Sequence, residues 1–219
     1  MKLNVIILGD TRLGQSHEKQ FQRMWGGKVL LNSLSSNKRG IVALIKDNSP
    51  ITDIGWENII PGYFSRLTFK SEGHSVLIKC IYAPNEDSNP NDIKNESSLF
   101  FNTVLDDTND DMYDHRLIAG DFNIALDHNL DTSGYLHINN PNSRELLIRH
   151  ANLSNLVDIW RLRNPESQQF TFSKKTSPKS HKSPSGFFLL LARTRLRLLK
   201  MLKSVGHATF LTIGLFFSK

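Results

Sequence analysis

In Leu117-Ile118-Ala119-Gly120-Asp121-Phe122-Asn123 an apolar run delivers a carboxylate, and an amide follows two residues later. Alternate residues of a strand share a face, so this spacing sets Asp121 and Asn123 side by side. Such a pair suits hydrolysis of a phosphate ester. The carboxylate can hold a water or a metal ion, and the amide can donate to a phosphoryl oxygen. The same residues also make an ordinary Asx turn, because Gly-Asp and Asn are common at strand ends. A second polar cluster, Ile81-Tyr82-Ala83-Pro84-Asn85, also follows an apolar run. Its phenol can donate to a phosphate, and Pro84 restricts the loop that presents Asn85. An interior tyrosine with a satisfied hydroxyl is the plainer reading. Gly9-Asp10-Thr11-Arg12 ends another apolar run and offers either a magnesium ligand or a capped turn. Thr171, within Phe170-Thr171-Phe172, can touch a phosphate, and His207 precedes the apolar run 210–215. Lone histidines near strands are more often structural than chemical.

Groups like these need strands that end together. Residues 5–8 read as a buried strand ending at a polar turn. Residues 40–46, 63–70 and 75–83 are rich in β-branched and aromatic types with turn signals between them, and 116–125 reads as a strand broken at Gly120. Helical spacing appears over 93–105, with Ile93, Phe100, Phe101 and Val104 on one stripe. It recurs over 143–156, where Asn142 or Ser143 can cap. Strands and helices mix without strict alternation, which predicts an α/β fold of two packed sheets with helices outside. After residue 172 the composition changes: 173–185 is a Lys-, Ser- and Pro-rich loop. Residues 187–203 are dense in Leu and carry Arg193, Arg195, Arg197, Lys200 and Lys203. They read as a basic amphipathic helix, or else as a helix or strand pair of the same domain.

With 219 residues, 39% of them hydrophobic and 22% charged, the chain can bury one substantial core, so 1–219 is expected to be a single domain. The net charge of +6 favours polyanionic partners such as nucleic acid. Cys80 is the sole cysteine, which excludes an internal disulfide or a cysteine-cluster zinc site and fits a reducing compartment. The opening Met1-Lys2-Leu3-Asn4 leads into only four apolar residues, too few for a signal peptide. The apolar runs 187–192 and 208–217 fall short of the roughly 20 residues of a membrane helix. A soluble intracellular protein of nucleus or cytoplasm is expected, neither secreted nor membrane-bound.

Order and spacing combine these signals. Gly-Asp-Thr-Arg-Leu at 9–13 is followed by Ser-x-Asn-Lys-Arg-Gly-Ile-Val-Ala-Leu at 35–44 and Ile-Tyr-Ala-Pro-Asn at 81–85. Leu-Ile-Ala-Gly-Asp-Phe-Asn at 117–123 and Asp-Ile-Trp-Arg at 158–161, with Phe-Thr-Phe behind it, complete the set. Together they resemble the endonuclease/exonuclease/phosphatase superfamily, and within it the endonuclease domain of LINE-type (non-LTR) retrotransposons. The resemblance covers about residues 3–171 and, more faintly, reaches 215. Gly-Asp-Phe-Asn alone is moderately specific; the ordered set is much more so, and Asp-Ile-Trp-Arg favours the retrotransposon branch over DNase or lipid-phosphatase relatives. The resemblance implies a DNase I-like four-layer sandwich of two mainly antiparallel sheets. It implies a magnesium- or manganese-dependent phosphodiesterase that nicks DNA, once fused to a reverse transcriptase. Tyr82, Asp121, Asn123 and His207 would be catalytic, Asn85 and Thr171 would bind substrate, and Asp10 would hold the metal. Asp121 would orient the attacking water, and Asp10 stands where the family usually has a longer Glu.

Three departures bear on activity. The family's opening strand, with its Asn, is absent, which would leave an interior strand with an open edge. Gly186, in Pro184-Ser185-Gly186-Phe187-Phe188, stands where the family has a catalytic Asp. Gly206, before His207, replaces the Asp of the closing Ser-Asp-His motif, so nothing fixes the imidazole tautomer. Losing an orienting Asp costs on the order of 10⁴ in rate, and losing an acid/base contact about 10²–10⁴. The expectation is therefore a catalytically impaired copy with a divergent C-terminal part, 173–219. A non-catalytic nucleic-acid-binding remnant is the alternative, and a working enzyme completed by groups elsewhere in a longer protein is a third reading.

Overall fold

The computed structural model describes residues 4–34, 38–86, 96–106, 110–133, 137–138, 140–168, 172–176, 179–183, 187–192, 197–205 and 208–216, with side chains described up to 168 except Gln15. Strand β1 (Val5–Gly9) leads through a 3-10 turn (Gln15–His17) into α1 (Glu18–Trp25), which stops at Gly26 with φ 67°. Then come β2 (Gly27–Asn32), β3 (Ile41–Lys46), β4 (Ile51–Ile60), β5 (Phe64–Ser71) and β6 (His74–Tyr82). Helix α2 (Glu96–Val104) carries the chain across, so β7 (His115–Asp121) lies parallel to β6. Next are α3 (His128–Asp131), α4 (Pro141–Leu153), β8 (Leu156–Asp158) and α5 (Ile159–Arg163). The remaining strands are β9 (Phe172–Thr176), β10 (Lys179–Ser183), β11 (Phe187–Ala192), β12 (Arg197–Val205) and β13 (Ala208–Phe216).

One sheet has the order β12-β13-β1-β3-β2 and the other β4-β5-β6-β7-β11-β8, while β9 and β10 form a separate ribbon. Period-two alternation decides how they pack. Val5, Ile7, Ile41, Ala43 and Ile45 of the first sheet meet Leu67, Phe69, Val76, Ile78, Cys80, Leu117 and Ala119 of the second in one buried cluster. The intervening residues face outward. Val42 and Leu44 lie beneath Phe21 and Trp25 of α1, while Ile81 and Ile118 lie beneath Phe100, Phe101 and Leu147 of α2 and α4. The result is helix, sheet, sheet, helix: two packed sheets with helices outside. Each buried Ile, Leu or Phe contributes about 1.5–3 kcal/mol, so most of the stabilisation lies in these layers.

Several elements differ from the sequence reading. Residues 173–185, read as a loop, contain most of the β9–β10 ribbon, because Lys179–Ser183 folds back antiparallel on Phe172–Thr176. β7 does not break at Gly120; its ladder with β6 runs on to Tyr82 opposite Asp121. The described residues of the 187–203 stretch lie in two strands, not in the amphipathic helix that is one of its readings, and these strands join different sheets, β11 beside β7 and β12 beside β13. β1 has no open edge, because β13 pairs antiparallel with it on one side and β3 on the other. Its backbone donors and acceptors are thereby satisfied, and the expected penalty of an unpaired interior strand does not arise. Among the described residues no helix is long and apolar enough to cross a membrane.

Two buried polar contacts fix the geometry around the strand ends. Lys79 on β6 donates to the carbonyls of Val104 and Asp106 at 2.8 and 2.9 Å and pairs with Asp110 at 2.6 Å, anchoring the crossover that makes β7 parallel. Asn32, at the end of β2, donates to the carbonyls of Ile60 and Phe64 and to Ser65 Oγ, and accepts from the Gly62 N–H at 2.6 Å. One amide thus bolts the first sheet to the β4–β5 turn of the second.

Gly120 is where the fold tolerates least change. Its φ is 145°, and an added Cβ would collide with the Ile81 carbonyl on the neighbouring strand. Gly73 also has a positive φ, 85°, but faces open space. Gly73→Ala should cost on the order of 1–3 kcal/mol from backbone strain alone. Gly120→Ala adds a backbone clash and should exceed ~3 kcal/mol. Urea denaturation checks this, and equal midpoints for the two variants would contradict it.

Candidate active site

β1, β6 and β7 all end at the same rim of the sandwich, and each hands over a polar residue: Asp10, Tyr82 and Asp121. In the parallel register Tyr82 is the partner of Asp121, and the Ala83 N–H then donates to the Asp121 carbonyl at 2.7 Å. Asp121 is buried, and its Oδ1 accepts the Asn123 N–H at 2.9 Å. The Asx turn is therefore present. Asn123 lies beyond the strand with φ 51°, so turn geometry and not strand alternation brings it beside Asp121. Its Nδ2 donates to the Ala83 carbonyl at 2.5 Å, tying the two strand-end turns together.

Asn140 completes this frame. Its Nδ2 reaches the Asn123 carbonyl at 2.5 Å and Asn85 Oδ1 at 3.5 Å, and its Oδ1 accepts the Glu86 N–H at 2.9 Å. Helix α4 begins at Pro141, so neither Asn142 nor Ser143 is its cap. The Glu86 carboxylate instead accepts the Ser143 N–H at 2.5 Å, where negative charge suits the helix dipole. Ser143 Oγ turns inward to Ser97 Oγ at 2.7 Å. Arg144 donates to the carbonyls of Ala125 and Leu126, and Arg161 pairs with the buried Asp131, so two arginines pin the segment after Asn123. Asp158, in the Asp-Ile-Trp-Arg motif, caps α5 by accepting the Arg161 N–H at 3.0 Å.

On the opposite lip the β1–α1 segment is zipped to the loop before β3. Thr11 N–H donates to the Gly40 carbonyl at 3.2 Å and Arg12 N–H to the Arg39 carbonyl at 2.7 Å. Asp10, Arg12 and Arg39 all have positive φ, of 49°, 53° and 62°. Such strained non-glycine residues persist only where the surroundings over-determine them. Asp10 Oδ2 accepts from Arg12 Nη2 at 2.9 Å and Nε at 3.2 Å. The Arg39 guanidinium lies 4.1 Å from the centroid of the Tyr63 ring, which stacks on Tyr82 at 6.5 Å between centroids.

A transposon TX1 protein of Xenopus laevis, described as an uncharacterized 149 kDa protein, is 26% identical over 169 residues, covering 77% of this chain. The chain spans 12% of that relative's length. No protein-family model matches the sequence. Among solved structures, a 3'-5' exonuclease of Neisseria meningitidis superposes with a TM-score of 0.72 at 16% identity, over 98% of this chain and 90% of that one. A Neisseria 3' phosphatase form of it bound to product DNA hairpin gives 0.71 at 16% identity, over 98% and 89%. An AP endonuclease of Archaeoglobus fulgidus gives 0.58 at 14% identity, over 86% and 76%. The fold is the one these exonuclease and AP endonuclease structures share.

On this scaffold burial sets the electrostatics of the rim. Burial pushes the Asp121 carboxyl up to about 6; the Asn123 N–H opposes this, and the charge of Asp10 adds to it. Tyr82 is pushed up to about 12 by burial first and then by Asp10 and Asp121, with Arg12 and Arg39 pulling the other way. Asp10, Tyr82 and Asp121 therefore share one field, with Asn123 and Asn85 on the adjoining turns. Among the described residues the Tyr82 hydroxyl has no hydrogen-bond partner. Thr171 and His207 lie outside the described residues, as do Gly186 and Gly206.

Arg39, Tyr63 and Asn140 have places at this rim that sequence reasoning missed. Arg39 sits inside the quoted Asn-Lys-Arg-Gly motif, and Asn140-Pro141 is itself a helix-start signal. What no local pattern reveals is that each reaches across the fold.

The charge on Asp121 should be measurable as instability. The native carboxyl titrates near 6 against an ordinary 3.8, so the folded state holds its proton more tightly than the unfolded chain. Stability therefore falls as pH rises between those values and stays lowered above them. In chelator-containing buffer Asp121→Asn should gain on the order of 2–3 kcal/mol at pH near 7.5, because each pH step between the two midpoints is worth about 1.4 kcal/mol. Denaturation near pH 4 should show no gain, and a variant less stable than its parent at both pH values would refute the assignment.

Proposed function

We propose that this chain is a DNA phosphodiesterase domain of a retrotransposon protein, with the centre of its site in place and its turnover impaired. The observation that carries this reading is the convergence of Asp10, Tyr82 and Asp121 at three strand ends, with a buried carboxyl raised to about 6. A base poised near neutral pH is what activation of a water calls for. The transposon relative supports the retroelement context, and the DNA-bound Neisseria structure supports DNA as the substrate class.

Among the described residues no cluster of three or more His, Cys, Asp or Glu is suited to a metal. The charge of Asp10 nonetheless makes Asp121 harder to ionise, and a hard divalent cation held by these carboxylates would relieve that repulsion. Magnesium is commonly held by one or two carboxylates, keeping waters and taking phosphate oxygens, so this donor set fits. Once bound, the ion would supply charge stabilisation at the phosphoryl oxygens. Asp121, held by the Asn123 N–H, would orient and deprotonate the attacking water. Tyr82, kept protonated by its surroundings, would donate its O–H to a non-bridging oxygen. Asn85, on the Pro84 turn, and Thr171 would contact the strand, and His207 would face the leaving side without the carboxylate that Gly206 replaces.

Impairment follows from Gly186 and Gly206, which stand where the family carries acidic groups. A second reading, a nucleic-acid-binding remnant without turnover, is favoured by one contact: Arg12 occupies the carboxylate of Asp10 at 2.9 Å. LINE-type ancestry and a former reverse transcriptase partner belong to the same proposal.

The purified protein should bind DNA with affinity that falls as salt rises, because Lys and Arg contacts release counterions. It should nick supercoiled plasmid in magnesium no faster than Asp121→Ala, and Gly186→Asp with Gly206→Asp should restore at most part of the activity. Robust magnesium-dependent nicking by the unmodified chain, lost in Asp121→Ala, would show the impairment to be wrong.

A further inference from the structure

Arg39 differs from Arg12, Arg144 and Arg161 in what holds it. Arg12 is engaged by Asp10, Arg144 by backbone carbonyls and Arg161 by Asp131. Arg39 instead lies on the Tyr63 ring at 4.1 Å, and no carboxylate is within ion-pair distance of it among the described residues. Its backbone is fixed as firmly: its carbonyl accepts from Arg12 at 2.7 Å, its φ is 62°, and the next residue donates to Gly62 at 3.2 Å. Tyr63 cannot move away, being buried, with its hydroxyl donating to Glu96 at 3.2 Å and its carbonyl accepting the Tyr82 N–H at 2.8 Å. A guanidinium normally loses rotamer freedom when it binds, and here most of that ordering is done beforehand by the ring.

The placement of this charge matters as much as its rigidity. Tyr63 and Tyr82 stack nearly parallel, at 17° between planes, and the positive charge of Arg39 is felt at the Tyr82 hydroxyl. Arg39 therefore stands beside the Tyr82–Asp121 centre and not on it. We infer that Arg39, preset on Tyr63, is a docking group for a backbone phosphate next to the one at Tyr82, reading a continuing polynucleotide strand. This rests on the proposed function and specifies one of its strand contacts. A planar fork of donors suits two oxygens of one phosphate, which an ammonium contacts only as a point charge.

The test is the salt dependence of duplex DNA binding, followed by fluorescence anisotropy over a chloride series without divalent metal. Removing one phosphate contact lowers the slope of log K against log salt by about 0.9. Arg39→Gln should show that reduction and bind severalfold more weakly at low salt. Arg39→Lys should keep the slope but recover only part of the affinity. Arg149→Gln, exposed on α4 and paired with Glu145 at 3.3 Å, should match the parent. Circular dichroism confirms that each variant is folded. A parental slope in Arg39→Gln, or an equal loss in Arg149→Gln, overturns the inference while leaving the proposed function standing. Absence of DNA binding by the parent at every salt concentration overturns both.

Discussion

The parallel ladder between β6 and β7 runs out at Tyr82 and Asp121, and almost everything at the rim is hung on that ending. Parallel strands need a long crossover, supplied here by the segment through α2, and the crossover is anchored by the ammonium of Lys79 at its end. Burying an ammonium is tolerable only with full hydrogen bonding and a counter-charge, which Val104, Asp106 and Asp110 provide. Because the register is fixed, the Asp121 carboxylate and the Tyr82 ring leave the sheet side by side. Because residue 120 is glycine, the two backbones can approach closely enough to keep them there.

This arrangement works against stability. A carboxylate pressed into the end of an apolar sheet loses hydration, and a second carboxylate, Asp10, shares its field. The surrounding devices offset part of that cost. The Asn123 N–H stabilises the Asp121 charge, Arg12 neutralises Asp10, and the Asn140 amide locks the turns that carry Asn123 and Asn85. Positive φ values at Asp10, Arg12, Arg39, Asn123 and Asn140 lie on these same turns. Backbone strain and a desolvated charge thus coincide at this rim, although Asn48, Asp53, Glu72 and Asn155 also have positive φ elsewhere.

Much of the scaffold is legible in the sequence because burial on both faces writes itself as a continuous β-branched run, as in β1, β3 and β6. β4 is not: Asp53, Gly55, Glu57 and Asn58 interrupt its apolar pattern, which an edge strand with two register shifts tolerates. α1 escapes for a similar reason, since only Phe21 and Trp25 pack on the sheet and the rest of Glu18–Trp25 is polar apart from the exposed Met24. The 187–203 stretch misleads because its basic residues suggest a helix face, whereas its apolar run pairs between β7 and β8. At the site, Asp10, Tyr82 and Asp121 are legible as polar residues closing apolar strands. Arg39, Tyr63 and Asn140 are not, because their partners lie far along the chain, as with Asn140 and Asn85, 55 residues apart.

Whether Asp121 is a desolvated carboxylate sharing its field with Asp10 decides the rest, and carbon-13 NMR of the Asp121 carboxyl through a pH titration measures this directly. The expected midpoint is near 6 in the unmodified protein, moving down in Asp10→Asn as the neighbouring negative charge is removed. A midpoint near 4 in both proteins would place Asp121 in water, apart from Asp10, and would contradict it.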